Sequence, residues 1–419
     1  MRCLITCVGD TDPIRNLHDG GILHIARVYR PEKIILIHSE RSLAKHENVV
    51  KALNGIAHYQ PEILQEEHVL KNSEVFLFDK MFEQISSIVT KYRQTFSEDV
   101  EILLNLSSAT PQVISAMFAI NRIEEMNTQA IQVATPVKNS NEGVGHDNKE
   151  DIQDLIETNL DNQGDFENRC VEDEGVNFSQ ALLKRKLRQF IEEYDYCAAY
   201  QLIHKEKGIP ARKILLKELE CLKNDIQTQS IPEKIKKMKF PEEIKKSLNA
   251  YLLIDLKHKR GEVAEVLIRV KSFAEFVLEC FFNEEQSNLI IVKEDKPYLN
   301  VQDFPKIKEN LDRMSREKGY EEFRESTILS LPIYMNILKF LYPEDSNRKK
   351  LNKIQQINGL RNNVAHRLDG FDKKNLKNVN GAVKACRELL LVVFKLDEKY
   401  LNYYDDQNKL LLERLEDNH

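Results

Sequence analysis

The sequence predicts a two-part protein: an α/β domain built on a parallel sheet, then an all-α region made of a helical bridge and a bundle. Three observations predict it. As far as Ala134, short apolar runs that end in polar loops alternate with helical patterns. From Phe178 onward, apolar residues recur at spacings of three and four almost without interruption. The 419 residues also exceed what one core usually serves, so two or three domains are expected. The boundaries fall at 1–175, 176–245 and 246–419.

In the first part, Arg2 to Val8 is an apolar run ending at Gly9, as a buried parallel strand should be. A polar loop, Gly9-Asp10-Thr11-Asp12-Pro13, leads to a helix over Ile22–Tyr29 that Pro31 stops. Lys33–His38 is a second buried strand, residues 43–58 read as helix, and a short strand is expected near His68–Leu70. Phe76–Phe96 reads as helix and Glu101–Asn105 as strand. Pro111 opens another helix, and Ala130–Ala134 is a last strand before Pro136. Repeated βα units place helices on both faces of a parallel sheet, and ligands of such sheets bind beyond the carboxyl ends of the strands. The loops there are Gly9–Asp12 with Asp19-Gly20-Gly21, and Asn105-Leu106-Ser107-Ser108-Ala109-Thr110-Pro111. Small hydroxyls and backbone N–H groups at a helix start hold phosphate, or simply cap the helix. Neither a GxGxxG nor a GxxxxGK[ST] pattern is present.

Residues 143–175 are acidic and polar and read as a flexible connection or exposed edge, with Arg169-Cys170-Val171 as a terminal strand. The helical part breaks at Gly208-Ile209-Pro210, Ile231-Pro232 and Phe240-Pro241. Leu252–Phe282 is its longest continuous helical pattern. Lys234–Lys246 is a basic run, read first as a solvated helix face.

Composition narrows the function classes. No run of 18 apolar residues exists, so no membrane span is expected, and Met1–Val8 lacks the apolar core of a signal peptide. The seven cysteines are scattered without a CxxC, which predicts reduced thiols in a cytoplasmic protein and no zinc site. Residues 1–175 carry 16 Lys+Arg against 29 Asp+Glu, and the remainder 45 against 38. A basic C-terminal part suits a polyanion.

One stretch there carries chemistry. Leu351, Ile354, Ile357, Leu360, Val364 and Leu368 form an amphipathic stripe around Arg361-Asn362-Asn363-Val364-Ala365-His366. A guanidinium grips phosphate oxygens and an imidazole exchanges a proton near neutral pH, a combination that suits cleavage of an RNA phosphodiester by its own 2′-hydroxyl. Residues five apart on a straight helix lie about 140° apart. The pair therefore needs a helix start or break, which Asn358-Gly359 and Asn362-Asn363 would permit, or a second chain. The alternative is an Asn-capped helix end with His366 in a core.

Read together, the βα domain, the helical bridge and the bundle with Arg361-Asn-Asn-Val-Ala-His366 resemble the CARF–HEPN accessory ribonucleases of type III-A CRISPR systems. Asn105-Leu-Ser-Ser-Ala-Thr-Pro-Gln112 is similar to the strand-to-helix motif of the Rossmann-like CARF sensor. Gly9-Asp-Thr-Asp-Pro13 with Asp19-Gly-Gly-Ile-Leu-His-Ile25 is similar to its first βα loop. Family members often carry glycines where this chain has Ser108 and Ala109. The resemblance implies a homodimer in which CARF binds a cyclic oligoadenylate, six adenylates favoured over four, and thereby switches on cleavage of single-stranded RNA by HEPN; because no cluster of His, Cys and carboxylates has metal spacing, that cleavage is expected to need no metal. It assigns Arg361 to phosphate and transition-state charge, His366 to proton transfer or polarisation of the 2′-hydroxyl, and Asn362 to orientation. For the ring it implies a site of Gly9, Thr11, Asp12, Asn105, Ser107, Ser108, Thr110 and Pro136. Ser107, Ser108 and Thr110 would hold ribose or phosphate, Asn105 would shape the turn, and Asp12 would accept from adenine or ribose. Ser108 and Thr110 would also position a 2′-hydroxyl if the CARF domain cuts its own ring. Two rival readings stand beside this one: a nucleotide-gated binding protein with a non-catalytic helical part, and a HEPN enzyme that modifies nucleotides.

Overall fold

A computed structural model describes residues 1–123, 126–136, 151–206, 209, 211–317, 319, 321–357, 360 and 372–416, which divide into two compact units, Met1–Ser179 and Gln180–His419. In the first unit, strands β1 (Arg2–Cys7), β2 (Ile14–Arg15) and β3 (His18–Asp19) precede helix α1 (Gly21–Tyr29). Then come β4 (Lys33–Ile37), α2 (His46–Asn54), β5 (Glu62–Gln65) and α3 (Phe78–Thr95). The unit closes with β6 (Glu101–Asn105), α4 (Pro111–Ile123), β7 (Thr128–Val133), α5 (Ile152–Glu157) and β8 (Cys170–Glu172).

The six-stranded sheet runs β5-β4-β1-β6-β7-β8, parallel except for β8. Because side chains alternate along a strand, each central strand feeds both faces. Cys3, Ile5, Cys7, Ile102 and Leu104 pack under α3 and α4 with Met81, Ile85, Val113 and Met117. Leu4, Ile34, Leu36 and Leu103 pack under α1 and α2 with Ile22, Ile25, Val49 and Leu53. The strand order reverses at β1, whose neighbours are β4 on one side and β6 on the other. That reversal opens the crevice at the carboxyl ends of β1 and β6, between the two polar loops.

Three details differ from expectation. The edge strand lies at Glu62–Gln65, while Leu70 forms only an isolated bridge with Ser39. The Ile14–Arg15/His18–Asp19 hairpin was not anticipated. Residues 151–175 are no loose connection: Asp151 caps α5 and Asn159 caps a 3-10 turn at Leu160–Asn162, and Asn159, Asp161 and Arg169 are buried.

The second unit is helical around one apolar cluster that runs from Leu187 to Leu415. Residues expected in the bridge, such as Leu215 and Leu219, share that cluster with Val270, Tyr334 and Leu389. The long pattern over Leu252–Phe282 is two helices, Glu242–Lys259 and Val263–Glu285, divided where Gly261 takes φ +72°. An antiparallel hairpin, Ile290–Lys293 with Lys296–Leu299, interrupts the helices. Asn347–Gln356 and Lys373–Val393 are helices that bury Leu351, Ile354, Ala382 and Leu389. Among the described residues, no helix is long and apolar enough to cross a membrane.

Candidate functional site

The crevice is built by a close meeting of backbones. A Cβ on Gly9 would lie 2.5 Å from the Ala109 nitrogen, so only glycine lets the loop after β1 touch the loop after β6. Ala109 itself takes φ +95°, a conformation that explains why glycine suits this position in the resembled family. A Cβ on Gly21 would lie 2.6 Å from the Ser108 hydroxyl, which fixes how near α1 approaches the same loop.

Asp12 holds the first loop in shape. Its carboxylate accepts the Gly9 N–H at 2.9 Å and the Ile22 N–H at 3.2 Å, and the residue is 2% exposed. Burial raises its pKa against those two donors, the Ser108 hydroxyl and the Lys45 charge. Each Asp12 oxygen thus already accepts a backbone N–H. From the turn at Ser42–Lys45, the Lys45 ammonium donates to the carbonyls of Gly9 (3.1 Å), Asp10 (2.9 Å) and Asp12 (3.3 Å). Burial lowers the Lys45 pKa, opposed by Asp10 and Asp12.

Asn105 holds the second loop. Its amide donates to the hydroxyls of Thr6 (2.9 Å) and Ser108 (3.0 Å), and its carbonyl accepts the Ser107 N–H at 2.8 Å. This is the turn-shaping role expected of it. Ser107 accepts the Val133 N–H at 2.7 Å, tying the loop to β7. Ser108 is buried, and Thr110 donates to the Val75 carbonyl at 3.0 Å while capping α4. The hydroxyls of Ser108 and Thr110 thus already have protein partners.

Two cavities open here. One, of about 190 Å³, is lined by Thr11, Ser107 and Pro136 of the expected set, with Arg15, His18 and Arg169. The other, of about 560 Å³, is lined by Gly9 and Thr110, with Asp10, Arg41, Ser42 and Asn72. Asp12, Asn105 and Ser108 lie behind the walls as framework. The sequence hid Arg15, His18, Arg41, Lys45 and Arg169, because each reaches the crevice from a loop, a turn or a two-residue strand too short to show periodicity. The one available signal was Arg169, a basic residue among the acidic ones of 139–175.

Beneath the smaller cavity lies a buried polar network. Arg27 clamps Asp19 through two bonds of 2.7 and 3.0 Å, and Arg169 bonds Asp161 at 2.8 Å and the Asp19 carbonyl at 3.2 Å. The buried His24 ring accepts the Arg169 backbone N–H at 2.9 Å. Ligand atoms of Asp19, His24 and Asp161 lie within 4.8 Å of one another, a grouping invisible in the sequence. Arg27 and Arg169 already balance both carboxylates, so the arrangement is a salt network that pins residues 159–169 to α1.

Arg361, Asn362 and His366 lie outside the described residues, as do Asn358, Gly359, Val364 and Leu368. Their flanks are described. Lys349 and Lys353 are exposed on the helix before them, and Lys374 and Lys377 on the helix after. Asp372 caps the latter by accepting the Asn375 N–H at 2.6 Å.

Comparison with known proteins places both units. The Cas_Csm6 CARF domain family matches residues 62–170 and the Cas_Csm6 HEPN domain family residues 226–412. Among curated proteins, the chain is 39% identical over 416 residues to CRISPR system endoribonuclease Csm6′ of Streptococcus thermophilus, covering 99% of this chain and 100% of the relative. It is 41% identical over 432 residues to CRISPR system endoribonuclease Csm6 of the same organism, with the same coverage. Among solved structures, Enterococcus italicus Csm6 bound to cyclic hexa-2′-fluoro-hexa-dAMP is similar with a TM-score of 0.74 at 29% identity. That match covers 99% of this chain and 100% of the other.

Proposed function

This chain belongs to the Csm6 family of CRISPR endoribonucleases, and from that premise we propose how its residues divide the work. It is an endoribonuclease of type III CRISPR defence in which a CARF domain regulates a HEPN ribonuclease domain. The observation that carries this reading is the end-to-end similarity to endoribonucleases, with both domain families matched in order.

The activator is a cyclic oligoadenylate bound in the strand-end crevice, six adenylates favoured over four. Support comes from the similar structure, which holds a six-membered ring, and from the chemistry of the crevice. Thr11, Ser107 and Pro136 of the small cavity, and Gly9 and Thr110 of the large one, contact the ring. Asp12, Asn105 and Ser108 act by holding those walls. A ring of repeated units suits two copies of one pocket, so the active species is a homodimer. The same symmetry supplies two Arg361/His366 pairs to one scissile phosphate, which answers the angular problem of a single helix. Arg361 binds the phosphate, Asn362 orients, and His366 acts on the 2′-hydroxyl. The substrate is single-stranded RNA, the products carry 2′,3′-cyclic phosphate, and no metal takes part. The protein works in the cytoplasm.

The test is incubation of purified protein with labelled single-stranded RNA in EDTA, with cyclic hexaadenylate, with cyclic tetraadenylate, or with neither. Cleavage that depends on the six-membered ring and leaves 2′,3′-cyclic phosphate is expected. A requirement for Mg²⁺, or nucleotide binding without RNA cleavage, would overturn it.

A further inference from the structure

Helix α4 runs from the crevice to a clasp on the chain that leaves the sheet unit. At its N-terminus lies the loop Ser107 to Thr110, which lines both cavities. Its last turn carries Arg122, whose guanidinium grips the segment after β8. Nη1 donates to the Glu174 carbonyl at 2.7 Å, and Nη2 donates to the Asp173 carbonyl and, at 3.1 Å, to Oδ1 of Asp173. The Arg122 side chain is largely buried, and its guanidinium carbon lies 5.3 Å from the centroid of the Phe118 ring, one turn back on α4. Phe118 in turn meets Phe178 edge-on, with ring centroids 5.2 Å apart.

The chain turns sharply inside this clasp. Gly175 takes φ +54°, and its N–H donates to Oδ1 of Asp173 at 2.9 Å. A Cβ at this position would run into the Arg122 guanidinium, so a side chain here and the arginine in its place exclude each other. Helix α6 (Val176–Glu192) starts at the next residue, and the Ser179 N–H donates to the Gly175 carbonyl at 3.0 Å. Further along the same helix, Leu187 and Ile191 belong to the apolar cluster of the second unit. Thus α4 begins at the crevice and ends on the residues that start the helix entering the other unit.

Resting on the reading that a cyclic oligoadenylate binds this crevice and activates RNA cleavage, we infer that Arg122 is the positioning residue that couples the two events, by fixing the start of α6 to α4. Arg122 touches neither ring nor RNA, since Pro111 and Arg122 stand roughly 17 Å apart along the helix axis. A helix of 13 residues, tied by its backbone hydrogen bonds and packed through Val113, Met117 and Ile120, moves as one body. A shift of the Ser107–Thr110 loop therefore arrives at Arg122, and the clasp passes it to Gly175 and α6. What is transmitted is the difference in ring affinity between two arrangements of α4. With the clasp cut, the ring still binds but no longer biases the ribonuclease.

The experiment compares the wild-type full chain with Arg122→Ala, Gly175→Ala and Asp173→Asn. Isothermal titration with cyclic hexa-2′-fluoro-hexa-dAMP reads ring affinity, and cleavage of labelled RNA is measured without ring and at saturating cyclic hexaadenylate. In Arg122→Ala, affinity should stay within about threefold and ring-free cleavage at the wild-type rate, while stimulation by saturating ring falls by at least about 10-fold. Gly175→Ala should lose stimulation likewise, because it expels an intact arginine from the same turn. Asp173→Asn keeps an acceptor for the Gly175 N–H but loses the charge, so stimulation should fall less, by about 3-fold. Wild-type stimulation in Arg122→Ala, or in Asp173→Asn if the other two do not fold, would overturn the inference. Loss of ring affinity would make the clasp part of the binding site, and an equal fall of ring-free cleavage would make it structural only; either overturns it. Ring-free cleavage at the stimulated rate would make it a restraint instead of a relay, and overturns it too. A wild-type protein that fails to bind the analogue, or whose cleavage ignores the ring, would overturn the activator reading and this inference with it.

Discussion

The two units place their chemistry by different logics. In the first, topology points to the site: the strand order reverses at β1, and the loops after β1 and β6 meet there, with a Gly9 Cβ having no room against Ala109. In the second, one apolar cluster from Leu187 to Leu415 serves the described helices, and among the described residues nothing in its order singles out a location. There the sequence pattern Arg361-Asn362-Asn363-Val364-Ala365-His366 does the pointing. The difference teaches where mutations should hurt. On the proposed reading, function in the sheet unit rests on backbone shape and buried hydrogen bonds, and in the helical unit on a few side chains.

The sharpest break between the two comes from the Arg/His pair. Arg361→Ala or His366→Ala should lower RNA cleavage by at least about 10³-fold, since each removes a group proposed to act at the reacting phosphate. Thermal unfolding and cyclic hexaadenylate binding should stay near wild type. Gel-resolved cleavage of labelled RNA and a binding titration on the same preparations check this. Unfolding of both variants at ambient temperature would instead make the pair structural.

Acid should separate the units next. His38 is fully buried on the sheet side, and burial with the neighbouring His46 lowers its pKa to about 4. Its Nδ1 faces the Ser42 carbonyl at 3.2 Å, and Nε2 faces His46 at 3.0 Å. A histidine lowered on folding binds its proton more readily when unfolded. Its neutral form is therefore free of penalty above about pH 6.5, and stability falls as pH drops from there towards about 4, by roughly 2–3 kcal/mol at most. Unfolding midpoints of β1 and β4 amides, followed by hydrogen exchange between pH 7 and pH 4.5, should show the fall. His38→Asn, which keeps a donor for the Ser42 carbonyl, should flatten it. An equal slope in the variant would assign acid sensitivity to other groups.

Much of this was legible in the chain, for physical reasons. Arg2–Val8 and Lys33–His38 read as strands because both of their faces are buried, which leaves an unbroken apolar run. Asn105 read correctly because its three bonds are local to the turn or one strand away. The burial of Asp12 was hidden because an acidic loop residue looks exposed until the fold closes over it. Nδ1 of His18 lies 3.2 Å from Asp161 across 143 positions, so no spacing rule joins them. The 290–299 hairpin escaped because Glu294 and Asp295 adopt φ of 49° and 58°, a turn usually announced by Asn-Gly. Gly261 escaped because one glycine inside a helical pattern is ordinarily tolerated.

The smallest effects come from adding one carbon in each unit, and their signs should differ. At Gly9, the new Cβ would sit 2.5 Å from the Ala109 nitrogen and 3.2 Å from its Cα, both backbone atoms that cannot swing aside. The loop must shift, at a cost of about 1–3 kcal/mol. The cyclic hexaadenylate concentration for half-maximal RNA cleavage should then rise by roughly 10–100-fold, while cleavage at saturation is recovered. At Gly381, inside the helix Lys373–Val393, nothing among the described residues lies within 4 Å of the added carbon. Alanine loses less backbone freedom than glycine on folding, so Gly381→Ala should stabilise by about 0.5–1 kcal/mol and raise the unfolding temperature by a few degrees. Its activator requirement should not move. Differential scanning calorimetry and activator titrations on the two variants check both halves. If Gly9→Ala responds to the ring like wild type, backbone contact at the crevice does not set ligand affinity. If Gly381→Ala is destabilised, another surface covers that face of the helix in the assembled protein.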